Sequence, residues 1–294
     1  MKYYDLNLKG TSYEEDKSLI LEAYRLSWNY VNLLYPPEIY EEAIKYKNDL
    51  ISEIYDIISE NPLNNTKSDI VSENPLNNTK SNALNKTPKN KLEIEFGIEI
   101  QAKNQNESYK ISRKYRNKTK FISVLGGDLG INRAVCENRL IDVLSRPYLN
   151  KRSCGINQVL AKEAYKNDIA IELTFNDILS SYLSYRSKIM AHFSEIIKLH
   201  KKFKFPLIIT TGSSSIWDIH SPRDISAVFK SLGLSEEEVN TCLFNYPNKI
   251  VEFNKERENM VVLGVKKIDK GMNKSIVNDI VNGSGKNMED KNET

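Results

Sequence analysis

Apolar residues along this chain fall into short runs separated by longer amphipathic stretches. Seven runs stand out, at residues 3–8, 29–35, 92–100, 121–125, 141–144, 169–174 and 207–211. The third, LEIEFGIEI, largely alternates; several of the others are almost continuously apolar, the pattern of strands covered on both faces. Most are followed by helical periodicity. A helix is predicted from Ser12, where Ser12 and Glu15 form an S-x-x-E capping-box pattern. A second runs from Pro36-Pro37 to about Ser59, prolines being tolerated in a first turn. Others are predicted at 106–118, 131–138, 156–167 and 177–203, with short ones behind Ser221 and Ser235 as N-caps.

Two segments break this rhythm. SENPLNNTKS occurs at 59–68 and again at 72–81, and residues 60–90 are crowded with Asn, Lys, Ser and Thr. So little apolar area does not offset the entropy of ordering the segment, so a disordered surface insertion is expected. A solenoid would need three repeats and a hydrophobic face. Residues 266–294 form a similarly polar tail. The remainder, 1–59 and 91–265, reads as one domain of parallel β/α units. An open doubly wound sheet and a barrel both fit. The core is close to the ~250 residues of a β/α barrel, which favours an α/β fold of irregular or incomplete TIM-like barrel type.

Composition narrows the function only slightly. A net charge of +3 over 294 residues does not identify a nucleic-acid binder, so only local clusters could do so. Cys136, Cys154 and Cys242 are odd in number and form no CxxC, the pattern of reduced thiols that pack. The start, MKYYDLNL, lacks the basic-then-apolar order of a signal peptide, and no run approaches a membrane span. A cytoplasmic protein without a membrane partner is expected.

In a barrel of this kind, reacting groups sit at the carboxyl ends of the strands. Those ends offer Asp5, Asn7, Asp128, Glu172 and the hydroxyl loop 213–215. A two-metal phosphoesterase needs converging histidines and carboxylates. Here His192 and His200 fall in a predicted helix, His220 in a loop, and none on a strand. A Mg²⁺ site made of Asp5, Asp128 and Glu172 remains as an alternative, beside the simpler reading that these residues cap helices and accept hydrogen bonds. The stretch PLIITTGSSSIWDIHSPRD contains neither a G-x-S-x-G nor a P-loop pattern. Gly212 most simply serves a positive φ or close packing, and Ser221, Pro222 and Asp224 suit N-cap, N1 and N3. Basic clusters are the remaining candidates. KISRKYRNKTK holds Lys110, Arg113, Lys114, Arg116, Lys118 and Lys120 without an acid, around Tyr115. Lys151 and Arg152, near Arg146, could extend that patch, and together these are the candidate RNA contacts. The lysines near position 200 read as charges complementing a helix end.

The order of motifs resembles the archaeal ribonuclease P protein component 3 family. YDLN, FGIEI, VLGGDLGINRAVCEN, RLIDVLSRP, CGINQVLAKEAYKNDIAIEL, PLIITTGSSSIWDIHSPRDISAVFKSLGL and YPNKIVEFN occur in sequence, over roughly 1–58 and 91–257. TTGSSS departs from the Gly-Ala-containing turn expected there. The resemblance implies a barrel related to metal-dependent phosphoesterase barrels but without their histidine set. It implies a non-catalytic subunit of an enzyme whose RNA removes 5′ leaders from precursor tRNA. Mg²⁺ would be held mainly by that RNA, with no cofactor on this chain. The implied partners are the ribonuclease P RNA, protein component 2 and the other protein subunits, and precursor tRNA. A scaffold binding only a protein partner is a further alternative.

Overall fold

The computed structural model describes residues 2–60, 92–149, 151–257, 260–262 and 265–266. All but the first residue of the predicted insertion, and nearly all of the predicted tail, lie outside these. Two compact units are distinguished, Met1–Val251 and Glu252–Thr294. In the second, Met260–Val262 and Val265–Lys266 form an antiparallel pair.

The first unit is a seven-stranded parallel sheet with strands in sequential order. The strands are β1 (Tyr4–Lys9), β2 (Tyr30–Tyr35), β3 (Glu93–Ile100), β4 (Ile122–Leu125), β5 (Val143–Ser145), β6 (Ala170–Thr174) and β7 (Leu207–Thr210). Between them run α1 (Tyr13–Arg25), α2 (Pro37–Glu60), α3 (Gln105–Tyr115), α4 (Leu129–Glu137), α5 (Gln158–Asn167), α6 (Phe175–Leu179) and α7 (Leu183–Phe203). After β7 come α8 (Pro222–Ser231), α9 (Glu236–Asn240), a π-helical turn (Thr241–Asn245) and α10 (Tyr246–Arg257). No ladder joins β1 to β7. The seam is bridged instead by Lys9 N–H donating to the Ser213 carbonyl at 2.9 Å. Thr211 closes it further, its N–H and hydroxyl donating to the two Asp5 carboxylate oxygens at 3.3 and 2.5 Å. The expected incomplete TIM-like barrel is therefore the observed fold.

Side-chain alternation divides the apolar residues into two cores. Tyr4, Leu6, Tyr30, Leu34, Phe121, Val143, Ala170 and Ile208 form one cluster. Residues from β1, β2, β5, β6 and β7 meet in one cluster only inside a barrel. Phe244, Tyr246, Ile250 and Val251 join it, so the segment after β7 returns to cover the inner core. The larger cluster, including Leu33, Phe96, Ile98, Ile171 and Ile209, packs between strands and helices.

Local chemistry explains both the agreements and the exceptions. Gly212 has φ +65, and a Cβ there would lie 2.0 Å from Thr174 Cγ2, so both reasons for glycine apply. Ser221 caps α8 with Pro222 in its first turn, and Ser235 forms a full capping box with Glu238. The box predicted at Ser12 does not form. Its hydroxyl and that of Thr11 both donate to the Glu15 carboxylate, leaving no cap on α1. The helix predicted at 177–203 is two helices, interrupted before Leu183, which has φ +46. Arg186 fastens the interruption by donating to the carbonyls of Ser181 and Leu179.

His192 and His200 are buried on α7. His200 Nδ1 lies 2.7 Å from the Phe205 carbonyl, to which it donates, and burial pushes its pKa below the ordinary 6.5. The unfolded chain thus binds the proton more readily than the folded one. The His200 contribution to stability is expected to be fully present above pH 6.5 and to be lost as pH drops below it. Urea midpoints measured from pH 5 to 7.5 check this, and His200→Asn, which keeps a donor near Nδ1, is expected to flatten the trend.

Candidate nucleic-acid interface

The carboxyl mouth of the barrel uses its charges internally. Lys9 pairs with Glu99 at 2.7 Å. Arg146 makes a two-pronged contact with Asp177 at 2.8 and 2.5 Å, and the buried Tyr148 hydroxyl donates to the same carboxylate at 2.7 Å. Asp5 and Glu172 are fully inside. Burial pushes the Asp5 carboxyl up to about 6, against hydrogen bonds from Thr211 and Asn7 that hold it down. Asp128, by contrast, is exposed and caps α4, accepting from the N–H groups of Gly130 and Ile131 at 2.9 and 3.1 Å. The three carboxylates considered for Mg²⁺ are thus divided between the interior and a helix cap. Among the described residues no group of three His, Cys, Asp or Glu side chains is placed to hold a metal ion.

Helix α3 carries the basic cluster. Asn104 caps it by accepting from Glu107 N–H, and its inner face is Ser108, Ser112 and Tyr115, spaced at four and three residues. Lys110, Arg113 and Lys114 are exposed on the other side, and none forms an ion pair with a described residue. With Tyr109 they line a shallow recess of ≈ 490 Å³ that contains no acid. On the flank facing α2, a broader groove of ≈ 760 Å³ sets Lys110 and Lys114 against Glu38, Glu41 and Glu107.

The other sequence-predicted contacts divide differently. Arg116 is not a surface residue, a correction to the candidate set. Its guanidinium is buried against Asp142 at 2.7 Å and donates to the carbonyls of Leu140, Thr119 and Lys120. Lys118 pairs with Glu41 at 2.7 Å, and Lys120 approaches Glu95 at 3.7 Å. Lys151 is half-buried and Arg152 exposed, on the connection that follows β5. In parallel β/α units that connection lies at the carboxyl ends, whereas Lys118 and Lys120 precede β4 at the amino ends. Arg152 therefore does not continue the Lys118–Lys120 end of the cluster.

Sequence reasoning also passed over an exposed aliphatic and aromatic rim at the carboxyl ends. Leu183 is 89 % and Trp217 84 % exposed, with Tyr182 and Tyr185 beside Leu183. Tyr182, Leu183 and Tyr185 continue the apolar spacing of a predicted helix and Trp217 stands in a polar loop, so only the folded structure reveals this rim.

Barrel and site together define a TIM-like α/β protein with a cationic helix face on its outer layer. The model of the RNase P subunit p30 family matches residues 2–259. A relative from Methanothermobacter thermautotrophicus, ribonuclease P protein component 3, is 35% identical over 266 residues, 90% of this chain and 95% of its own length. Its namesake from Methanococcus maripaludis is 34% identical over 175 residues, 59% of this chain and 75% of its own length. A chain in the cryo-EM structure of archaeal ribonuclease P with mature tRNA superposes with a TM-score of 0.67 at 26% identity, covering 91% of this chain and 98% of that one. Aspergillus niger ochratoxinase superposes at 0.50 with 10% identity over 85% of this chain and 71% of its own, a likeness of fold alone. The chain belongs to the ribonuclease P subunit p30 family.

Proposed function

We propose that this chain works as a protein subunit of ribonuclease P, supporting the RNA-catalysed removal of 5′ leaders from precursor tRNA. The observation that carries this reading is the match to a ribonuclease P component along nearly the whole length of both chains. Its partners in this reading are the ribonuclease P RNA, protein component 2 and the other protein subunits, with precursor tRNA as the substrate of the assembly. The chain itself supplies no catalytic group or cofactor, and Mg²⁺ is held mainly by the RNA. The compartment is the cytoplasm, in keeping with three buried, unpaired cysteines. Among the described residues no helix is long and apolar enough to cross a membrane.

Within that assembly the Tyr109, Lys110, Arg113, Lys114 face meets RNA phosphates, with Lys151 and Arg152 as a separate contact at the other end of the barrel. Cations that form no ion pair with a described residue displace counterions from a phosphate backbone without first breaking one. Replacing Lys110, Arg113 and Lys114 together by alanine is expected to flatten log K against log salt by up to ~0.9 per lost duplex-like contact. Stability should shift by no more than ~0.5 kcal/mol per exposed site. Titration of the ribonuclease P RNA at several salt concentrations measures the slope. An unchanged slope returns these residues to a solvated helix face. Reconstituted cleavage of precursor tRNA with and without the chain tests the subunit role itself. RNA cleavage by the RNA-free chain, lost in Glu172→Gln, would instead favour a phosphoesterase.

A further inference from the structure

The inside of the barrel holds more polar atoms than the protein bonds. Glu172 on β6 is buried, and its Oε1 accepts from Asn7 Nδ2 at 2.7 Å and from the Thr210 hydroxyl at 2.5 Å. Its Oε2 receives no hydrogen bond from any described residue. Asn7 Oδ1, Ser145 Oγ and Thr174 Oγ1 are also buried and unpartnered. Strand register gathers these four atoms. Ser145 is the direct partner of Glu172 across β5 and β6. Thr174 lies two residues further along the same face of β6, opposite Thr210 on β7. Asn7 reaches them from β1, where the register against β2 shifts between Asp5 and Leu8.

The lack of bonds among these atoms is informative. Serine and threonine hydroxyls donate readily to a carboxylate. Neither bonds Oε2, so all four buried oxygens keep unused lone pairs on neighbouring strand positions, and the space among them is the candidate centre. No described Lys, Arg or His bonds Glu172. Two cations at the mouth are engaged elsewhere, Arg146 with Asp177 and Lys9 with Glu99. A buried carboxylate without a cationic partner is costly, so whatever fills the centre gains by carrying positive charge.

The donor set selects the ion. It has no nitrogen or sulfur, which disfavours zinc and copper. It offers one carboxylate oxygen among neutral oxygens, whereas Ca²⁺ sites gather several carboxylates and Mg²⁺ keeps most of its waters. Neutral oxygens around a single charge suit a dehydrated monovalent ion of the K⁺ class. We propose that the barrel interior binds one monovalent cation through Glu172 Oε2, Asn7 Oδ1, Ser145 Oγ and Thr174 Oγ1. The ion is structural. It ties β1 to β5 and β6 beside the seam where no ladder joins β1 to β7.

The test uses the full chain without RNA, so its outcome is independent of the ribonuclease P role. Crystals grown in Rb⁺ are expected to show one anomalous peak inside the barrel, within coordination distance of Glu172 Oε2. Melting in K⁺ is expected to exceed that in tetramethylammonium at equal ionic strength by about 2–4 °C or more, saturating with K⁺. Glu172→Gln should remove the dependence. Ser145→Ala with Thr174→Val, which leaves the carboxylate intact, should raise the K⁺ concentration needed at least tenfold and keeps the test valid if the Gln variant does not fold. The anomalous map decides the site and the melting series its strength. Solvent without an anomalous peak at that centre overturns the proposal.

Discussion

Replacing Arg116 by alanine is expected to destabilise the barrel by about 3–5 kcal/mol, the range for removing one partner of a buried ion pair. The guanidinium and the Asp142 carboxylate are only 5% and 4% exposed. Arg116 Nη1 donates to Asp142 at 2.7 Å and to the Leu140 carbonyl, while Nη2 holds the carbonyls of Thr119 and Lys120. The same Asp142 oxygen accepts from Ile122 N–H, so the cluster fixes the entries of β4 and β5 together. Alanine would leave a buried carboxylate short of its cation and three carbonyls without this donor. Lysine keeps the charge but lacks the planar fork, so Arg116→Lys should recover only part of the loss. Urea denaturation measures both. RNA affinity of the folded fraction should stay unchanged, which distinguishes this residue from Lys110, Arg113 and Lys114. Equal stability of the alanine variant and the parent would contradict the buried geometry.

Gly155→Ala is expected to cost at least ~2 kcal/mol, through two effects that can be separated. Gly155 has φ +75, and a Cβ there would stand 1.9 Å from the Pro147 carbonyl oxygen, which is backbone and cannot swing aside. Asn132 makes the approach tight by donating to both the Pro147 and Gly155 carbonyls, at 3.1 and 2.9 Å. Gly233, at φ +109, is the control, because a Cβ added there would meet nothing within 4 Å. Gly233→Ala carries the conformational cost alone, roughly 1–2 kcal/mol. Thermal melts of the two variants should therefore differ clearly, and equal losses would show that the Pro147 contact relaxes at little cost.

The strands were legible because burial on both faces writes itself as unbroken apolar runs. Closure into a barrel was less so: apart from the family resemblance only core size pointed to it, and the β1–β7 seam is made by Asp5, Thr211 and Ser213 without any ladder. Arg116 was misplaced by reading KISRKYRNKTK as one basic run. Helical phase held the warning: Ser108, Ser112 and Tyr115 are the buried face, and Arg116, four residues beyond Ser112, continues it. Its partner Asp142 lies 26 residues on, beyond any local pattern. The acids that pair with Lys118 and Lys120, Glu41 and Glu95, are equally remote in sequence. The break before Leu183 left no mark because apolar spacing continues across it.

The inner core also dictates an order of events at the ribosome. Tyr4 stacks on Tyr30 at 5.0 Å, and its neighbours also include Phe244 and, through a hydroxyl bond at 2.6 Å, Asn248, 244 positions later. Strand β1 is thus covered by a segment synthesised 244 positions after it. At ~5–20 residues per second that interval is roughly 10–50 s, during which Tyr4, Leu6 and Tyr30 wait for their lid. A nascent chain stalled before Phe244 exposes them, and the released chain does not.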